Sequence, residues 1–238
     1  MLSTQSLIRI TCYAVLSEVI YQVSKRIYCK FKKKISPDSV TYSLMQIYKD
    51  DASSNCFNKV VFFPDPGLVC RRTVSGRICK DKKCCAIHDQ TSLNSLINVL
   101  KLSKHSLDIC VYMITCSVLG DAIIESHENG VIVRIITESR NSGEEGEVLG
   151  SQIGKLRAEG VAVRCQSNSF WMHHKFVVAD KEILVNGSFN WTNQAVMGNS
   201  ENLIITNEGS LVKPFIAEFQ KIWNNLSPAD STKDETLK

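Results

Sequence analysis

Six residues in the last third of this 238-residue chain have types and spacing suited to chemistry on a phosphodiester. His173 and Lys175 stand two apart, and Asp180 follows. A Gly187-Ser188-x-Asn190 turn comes next, with Glu201 beyond it. A neutral imidazole attacks phosphorus, and a protonated one gives its proton to a leaving oxygen. An ammonium such as Lys175 and a carboxamide such as Asn190 suit the non-bridging oxygens, where charge grows in the transition state. Ser188 donates to the same oxygens or orients a neighbour. Side chains alternate along a strand, so His173, Lys175, Val177 and Ala179 share one face; Met172, His174, Phe176 and Val178 take the other. His173 then projects beside a fixed positive charge. On the strand pattern alone, a core strand with a polar entry explains these residues equally well. Asp180 and the Gly-Ser-x-Asn turn weigh against that plainer reading.

The string occurs once. His88, His105 and His127 lack a following Lys-x4-Asp. Cleaving a diester through a covalent phosphohistidine takes two imidazoles, one to attack and one to protonate the leaving oxygen. The second therefore comes from another chain. The economical arrangement is a two-fold homodimer with His173 of each subunit facing across one cleft. His174 is the alternative, but strand alternation places it on the opposite face, where a structural role fits better.

Ten cysteines form a second pattern. Cys110, Cys116 and Cys165 lie in or beside apolar runs, as buried thiols do. Cys70, Cys79, Cys84, Cys85 and His88 fall within nineteen residues, with a polar Lys80–Lys83 loop between them. The spacing C-x8-C-x4-C-x3-H supplies a Cys3His set for structural zinc, from Cys70, Cys79, Cys84 and His88; Cys85 is an alternative ligand for Cys84 or Cys79. Such a closed set leaves no open coordination position for catalysis. The clustering points to metal in a reducing compartment rather than to a disulfide framework.

The full string H-x-K-x4-D-x6-G-S-x-N resembles the phospholipase D superfamily signature without departures. Four further stretches are similar to one branch of it, the Zucchini or mitochondrial cardiolipin hydrolase family. They are Phe62-Phe63-Pro64, Gly150-Ser151-Gln152-Ile153, Met172-His173-His174-Lys175-Phe176 and Gly187-Ser188-x-Asn190-Trp191-Thr192. The resemblance covers about residues 59–226. It implies that His173 is the nucleophile, that Asp180 is a supporting charge rather than a metal ligand, and that no metal takes part in the chemistry. Glu201 lies where the family often has an acid that orients the histidine. The resemblance also implies a homodimer on the mitochondrial outer membrane, with its catalytic domain facing the cytosol. Two substrates follow from it. One is single-stranded RNA, cut by an endoribonuclease in Piwi-interacting RNA biogenesis, the RNA-mediated silencing of meiotic cells. The other is cardiolipin, hydrolysed to phosphatidic acid. A narrow basic cleft suits the RNA, with Phe170 and Trp171 stacking on bases or packing the cleft floor. A wide apolar cleft suits the lipid. A tethered scaffold without turnover is a third reading, opposed by the intact motif.

The surrounding elements read as an α/β domain with a mixed, largely parallel central sheet flanked by helices, plus the small zinc-binding insertion at 70–88. Strands are expected at Val60–Phe63, Leu107–Ile114, Val131–Ile136, Val161–Arg164, Met172–Ala179, Ile183–Val185 and Leu203–Thr206. Helical periodicity marks Leu93–Leu100, Asp121–His127, Ser151–Glu159 and Leu211–Leu226. Residues 1–24 read as a membrane anchor or an amphipathic surface helix, with an apolar 7–23 stretch broken by Arg9, Glu18 and Gln22. Residues 25–58 read as a basic stretch and a polar linker with a short helical piece, 59–226 as the catalytic domain and 227–238 as a disordered tail. The net charge is +4, yet Lys25–Lys34 alone carries six positive charges, leaving the body slightly acidic. Such a run suits anionic lipid. Polyanion contact by the body then needs a local cleft.

Overall fold

The computed structural model describes residues 36–48, 56–67, 70, 72, 78–88, 91–141, 149–167 and 169–226, with Ser17, Ile20, Val23 and Ser24 nearer the N-terminus. Residues 37–238 form one compact unit and Met1–Ser36 another. In the smaller unit Ser17, Ile20, Val23 and Ser24 are helical, and they and Ser36 are exposed. The rest of the expected anchor, the basic run at 25–34 and the tail at 227–238 lie outside the described residues. Among the described residues, no helix is long and apolar enough to cross a membrane.

Seven strands carry the larger unit: β1 (Asn58–Phe63), β2 (Ser106–Val111), β3 (Ile132–Glu138), β4 (Ala162–Gln166), β5 (Lys175–Ala179), β6 (Ile183–Gly187) and β7 (Glu201–Thr206). They form one sheet in the order β1-β7-β6-β5-β2-β3-β4. The helices are α1 (Val40–Tyr48), α2 (Ser92–Leu102), α3 (Ser117–Glu128), α4 (Ile153–Ala158), α5 (Asn193–Met197) and α6 (Gly209–Asn225).

The expected α/β architecture, a mixed sheet flanked by helices, is present. Its parallel part is confined to β2, β3 and β4, where α3 and α4 provide the crossovers that parallel strands require. Both helices stop at glycines in the left-handed region, Gly130 at φ +87° and Gly160 at φ +85°. The other pairings, β2–β5, β5–β6, β6–β7 and β1–β7, are antiparallel. The turn Asp180-Lys181-Glu182 leaves no room for a crossover helix, so β6 can only return alongside β5.

One sheet face is sealed by α6. Cys110, Ile136, Met172, Phe176, Val178 and Leu184 pack with Val212 and Phe219 of that helix. Arg134 of β3 fastens it further. Its guanidinium forms a two-toothed pair with the buried Asp108 at 2.8 and 2.9 Å and lies against the Phe219 and Trp223 rings. The alternating residues Ile109, Val111 and Ile135 are also fully buried; α3 packs on β3 and α2 on β1, and α2 touches both α1 and α3.

Two boundaries differ from the sequence expectation. Helix α1 falls inside the expected linker but belongs to the core. Val40, Leu44 and Met45 are buried, and Thr41 donates to Glu182 at 3.2 Å. The short helical piece expected there is this helix, and only its packing into the core was not legible from a nine-residue stripe between polar segments. The strand expected from Met172 begins only at Lys175, because the Met172 amide turns to the Glu138 carboxylate at 2.9 Å instead of joining the ladder.

Candidate active site

The site lies at the end of the sheet where β5 begins. The His174 carbonyl accepts from the Tyr112 amide at 2.9 Å, which seats the Trp171–His174 segment beside the end of β2. The Gly187–Thr192 loop reaches the same place. Its Trp191 amide donates to the Met113 carbonyl at 3.1 Å, and Ile114 and Trp191 bridge. Two segments far apart in sequence are thereby held to one strand end by backbone bonds.

Lys175 is buried, and its Nζ donates to the His173 carbonyl at 2.9 Å. Burial pushes the ammonium below the ordinary lysine value, while Glu201 acts in the opposite direction. His173 is exposed. Its pKa lies below the ordinary imidazole value, chiefly from partial desolvation and further from the charges of Lys175 and His174. A neutral, accessible imidazole beside an ammonium is a competent nucleophile for an anionic centre. A groove of about 460 Å³ opens beside it, lined by Gln166, Trp171, Met172, His174, Glu218 and Ile222. His174 is exposed as well and packs edge-on against Phe176. It thus shares the groove with His173 although the two side chains leave the backbone in different directions.

The glycine of the second motif element is explained by close approach. A Cβ on Gly187 would sit 2.0 Å from the Asn202 carbonyl oxygen, so the β6–β7 ladder closes only around a bare backbone. Ser188 Oγ donates to the Glu201 carboxylate and accepts from the Asn202 amide at 3.2 Å. Glu201 also accepts from Asn199 at 3.2 Å. Within one chain, and among the described residues, that carboxylate bonds Ser188 and Asn199, and the expected contact of Glu201 with His173 is not formed there. Its effect on the site is electrostatic, through Lys175. Ser188 correspondingly orients a neighbour. Asn190 keeps a buried Oδ1 with no hydrogen-bond partner among the described residues, so its amide has capacity left for a ligand.

Asp180 is elsewhere. It closes the opposite end of β5, about 16 Å from Lys175 at ~3.3 Å per residue. Its carboxylate accepts from the amides of Lys104, His105 and Ser106 at 2.8, 2.7 and 2.8 Å. Its own amide donates to the Ser106 carbonyl at 2.8 Å. Asp180 clamps the start of β2 to the end of β5, the two strands whose other ends form the site. This corrects its grouping with His173 and Lys175, since strand rise carries it far from the groove.

Two residues that motif spacing did not signal complete the site. The buried Glu138 holds the Met172 amide, as described above. Tyr112 sets its ring 5.1 Å from the His173 ring, edge-on, and 6.0 Å from Trp171; Lys175 Nζ lies 5.6 Å from its centroid. An acid closing an apolar strand was the one hint of Glu138, and Tyr112 had none.

The cysteine cluster assembles as its spacing predicts. The ligand atoms of Cys70, Cys79, Cys84 and His88 all lie within 4.8 Å of one another. The Cys70 amide donates to the Ile87 carbonyl at 2.9 Å, and a turn on Asp81 brings Cys84 round. Three thiols and an imidazole this close can hold a metal ion. Cys85, the alternative ligand, is exposed and outside the group.

The family described as "Cardiolipin synthase, PLD-like domain" matches residues 96–223, and the chain belongs to this phospholipase D-like family. Its relatives narrow the branch. It is 39% identical over 166 residues to a protein of Chlamydomonas reinhardtii called mitochondrial cardiolipin hydrolase, covering 70% of this chain and 73% of the relative. The Xenopus tropicalis protein of that name is 38% identical over 171 residues, covering 72% of this chain and 79% of the relative. The human one is 38% identical over 145 residues, covering 61% of this chain and 56% of the relative. In structure the chain is similar to Nuc, a phospholipase D family member from Salmonella typhimurium, with a TM-score of 0.56 and 21% identity over 72% of this chain and 97% of that one. That likeness concerns the fold.

Proposed function

We propose that the protein hydrolyses phosphodiesters through a phosphohistidine formed on His173. The observation that carries this is the exposed His173 imidazole at the mouth of a groove, with the buried Lys175 ammonium anchored 2.9 Å from its carbonyl. Neutral His173 forms a bond to phosphorus, and the bond from phosphorus to the leaving oxygen breaks. His173 of a second copy gives that oxygen a proton, then takes one from the water that releases the phosphoryl group. Lys175 and Asn190 hold the non-bridging oxygens. The working unit in this reading is a two-fold homodimer.

The substrate favoured by the relatives' names is cardiolipin, cleaved to phosphatidic acid at the mitochondrial outer membrane. In that setting the Lys25–Lys34 run lies on anionic lipid, and the catalytic domain faces the cytosol. Single-stranded RNA is the second reading, an endoribonuclease step in Piwi-interacting RNA biogenesis. Phe170 and Trp171 favour it: they are 81% and 59% exposed next to the nucleophile, as residues that stack on bases must be. In either reading the Cys3His cluster binds a structural zinc that stiffens the 70–88 insertion.

The experiment offers purified protein both cardiolipin vesicles and single-stranded RNA, with His173→Ala as control. Phosphatidic acid formation that the control lacks supports the first reading. RNA cleavage alone, equally dependent on His173, transfers the function to the second. Turnover that survives His173→Ala refutes the mechanism.

A further inference from the structure

Among the described residues of one chain, Glu201 bonds Ser188 and Asn199, and no carboxylate contact to the His173 imidazole joins them. A histidine nucleophile works best with its ring orientation fixed, and neighbours in its own chain contribute to that. What surrounds this ring is aromatic. Tyr112, Trp171 and His173 form a triangle with centroid distances of 5.1, 6.0 and 6.1 Å; the Tyr112–His173 contact is edge-on at 61°. Tyr112 is fixed from behind. Its amide donates to the His174 carbonyl at 2.9 Å, and its carbonyl accepts from Thr137 Oγ at 3.1 Å. The same ring stands 5.6 Å from Lys175 Nζ. One side chain therefore touches both the nucleophile and the cation beside it.

We infer that Tyr112 is a positioning residue for phosphodiester hydrolysis: its ring holds the His173 imidazole in its attacking orientation and keeps the Lys175 ammonium company in the desolvated site. The ring edge carries partial positive charge and the face partial negative charge. An edge-on contact limits rotation of the imidazole without adding a charge that would raise its basicity. A nearby face offsets part of the ammonium's desolvation. The other groups facing Lys175 are Glu201 of β7 and His173 itself. The function belongs to the ring rather than to the hydroxyl. This inference rests on the proposed hydrolysis only for its kinetic readout.

The test compares Tyr112→Phe, Tyr112→Leu and Tyr112→Met in the full chain, using bis(4-nitrophenyl) phosphate as the probe. The probe is small enough that only the reacting centre is engaged. Tyr112→Phe should keep kcat within about twofold. Tyr112→Leu and Tyr112→Met should lower kcat on the order of tenfold, the worth of one edge-on contact, with KM little changed. The acid limb of the pH profile should move to higher pH, since the attacking His173 imidazole loses part of the cover that lowers its pKa. Packing damage alone would lower activity without moving that limb. A second readout needs no turnover: NMR titration of the His173 imidazole, assigned with His173→Ala. Removing the ring opens His173 to water and should raise its pKa in both non-aromatic variants. Two non-aromatic variants are used so that poor folding of one leaves the other. An unmoved imidazole titration overturns the inference, as does a Tyr112→Phe loss equal to that of Tyr112→Leu. A wild-type chain that fails to hydrolyse the probe counts against the proposed function; the titration still decides Tyr112.

Discussion

Asp180→Ala separates chemistry from architecture within a single motif. The Asp180 carboxylate accepts three backbone amides at 2.7–2.8 Å. A hydrogen bond to a charged acceptor contributes about 1.5–3 kcal/mol. The Lys104 and His105 amides are exposed enough for water to replace the lost acceptor, so the full sum does not apply. A net loss of about 2–4 kcal/mol is expected. For a domain of this size, that lowers Tm by roughly 5–15 °C. The positive φ of 52° adds a cost to alanine that asparagine escapes, so Asp180→Asn should lose less. The assay is thermal unfolding alongside phosphodiesterase activity measured well below Tm. Folded Asp180→Ala should turn over within about threefold of wild type, because the residue lies about 16 Å from Lys175. A participant in the chemistry would instead cost on the order of 10⁴ in kcat. An unchanged Tm with a loss beyond about a hundredfold would refute the clamp.

Three further outcomes are expected. Only neutral His173 attacks, and its pKa is lowered, so activity should persist as pH falls past ~6.5 and fail only at lower pH. An acid limb at or above that value in a pH–rate profile would contradict this. Metal analysis should find about one zinc per chain, retained in Cys85→Ser and lost in Cys84→Ser; a value near zero removes the zinc. Gly187→Ala drives a Cβ into the Asn202 carbonyl and should cost about 3 kcal/mol or more in denaturant unfolding, with activity falling as Ser188 and Asn190 shift.

The parts of the site that were legible in the sequence are those fixed by local geometry. His173 and Lys175 are two residues apart, and alternation alone puts them together. The four metal-site ligands lie in one short loop, so spacing sufficed. Helices α2, α3 and α6 announce themselves by apolar period. What stayed hidden depends on contacts between distant segments. Tyr112 follows β2 and Glu138 ends β3, and nothing nearby in sequence shows that these strand ends face Trp171–His174. Asp180 looked like a member of the site because a motif is read as a string, whereas a strand converts five residues into a separation the chemistry cannot bridge. Glu201 falls in the region its motif position implies, but its bonds to Ser188 and Asn199 were not legible, since side-chain geometry settles them.

The β1–β7 pairing has a consequence for biosynthesis. Asn58 lies opposite Thr206, so β1 begins 148 residues before the strand it pairs with is complete. At typical synthesis rates of about 5–20 residues per second, the segment Lys59-Val60-Val61-Phe62-Phe63 waits on the order of ten seconds without a ladder to join. Four consecutive residues of high β-propensity, two valines and two phenylalanines, make a sticky nascent segment. Lys59 at its head and Pro64 at its foot are the kinds of residue that delay self-association in such segments. The sheet thus finishes from its edge strand last, and ribosome-stalled or truncated chains lacking β7 should be clients of chaperones rather than partly folded enzymes.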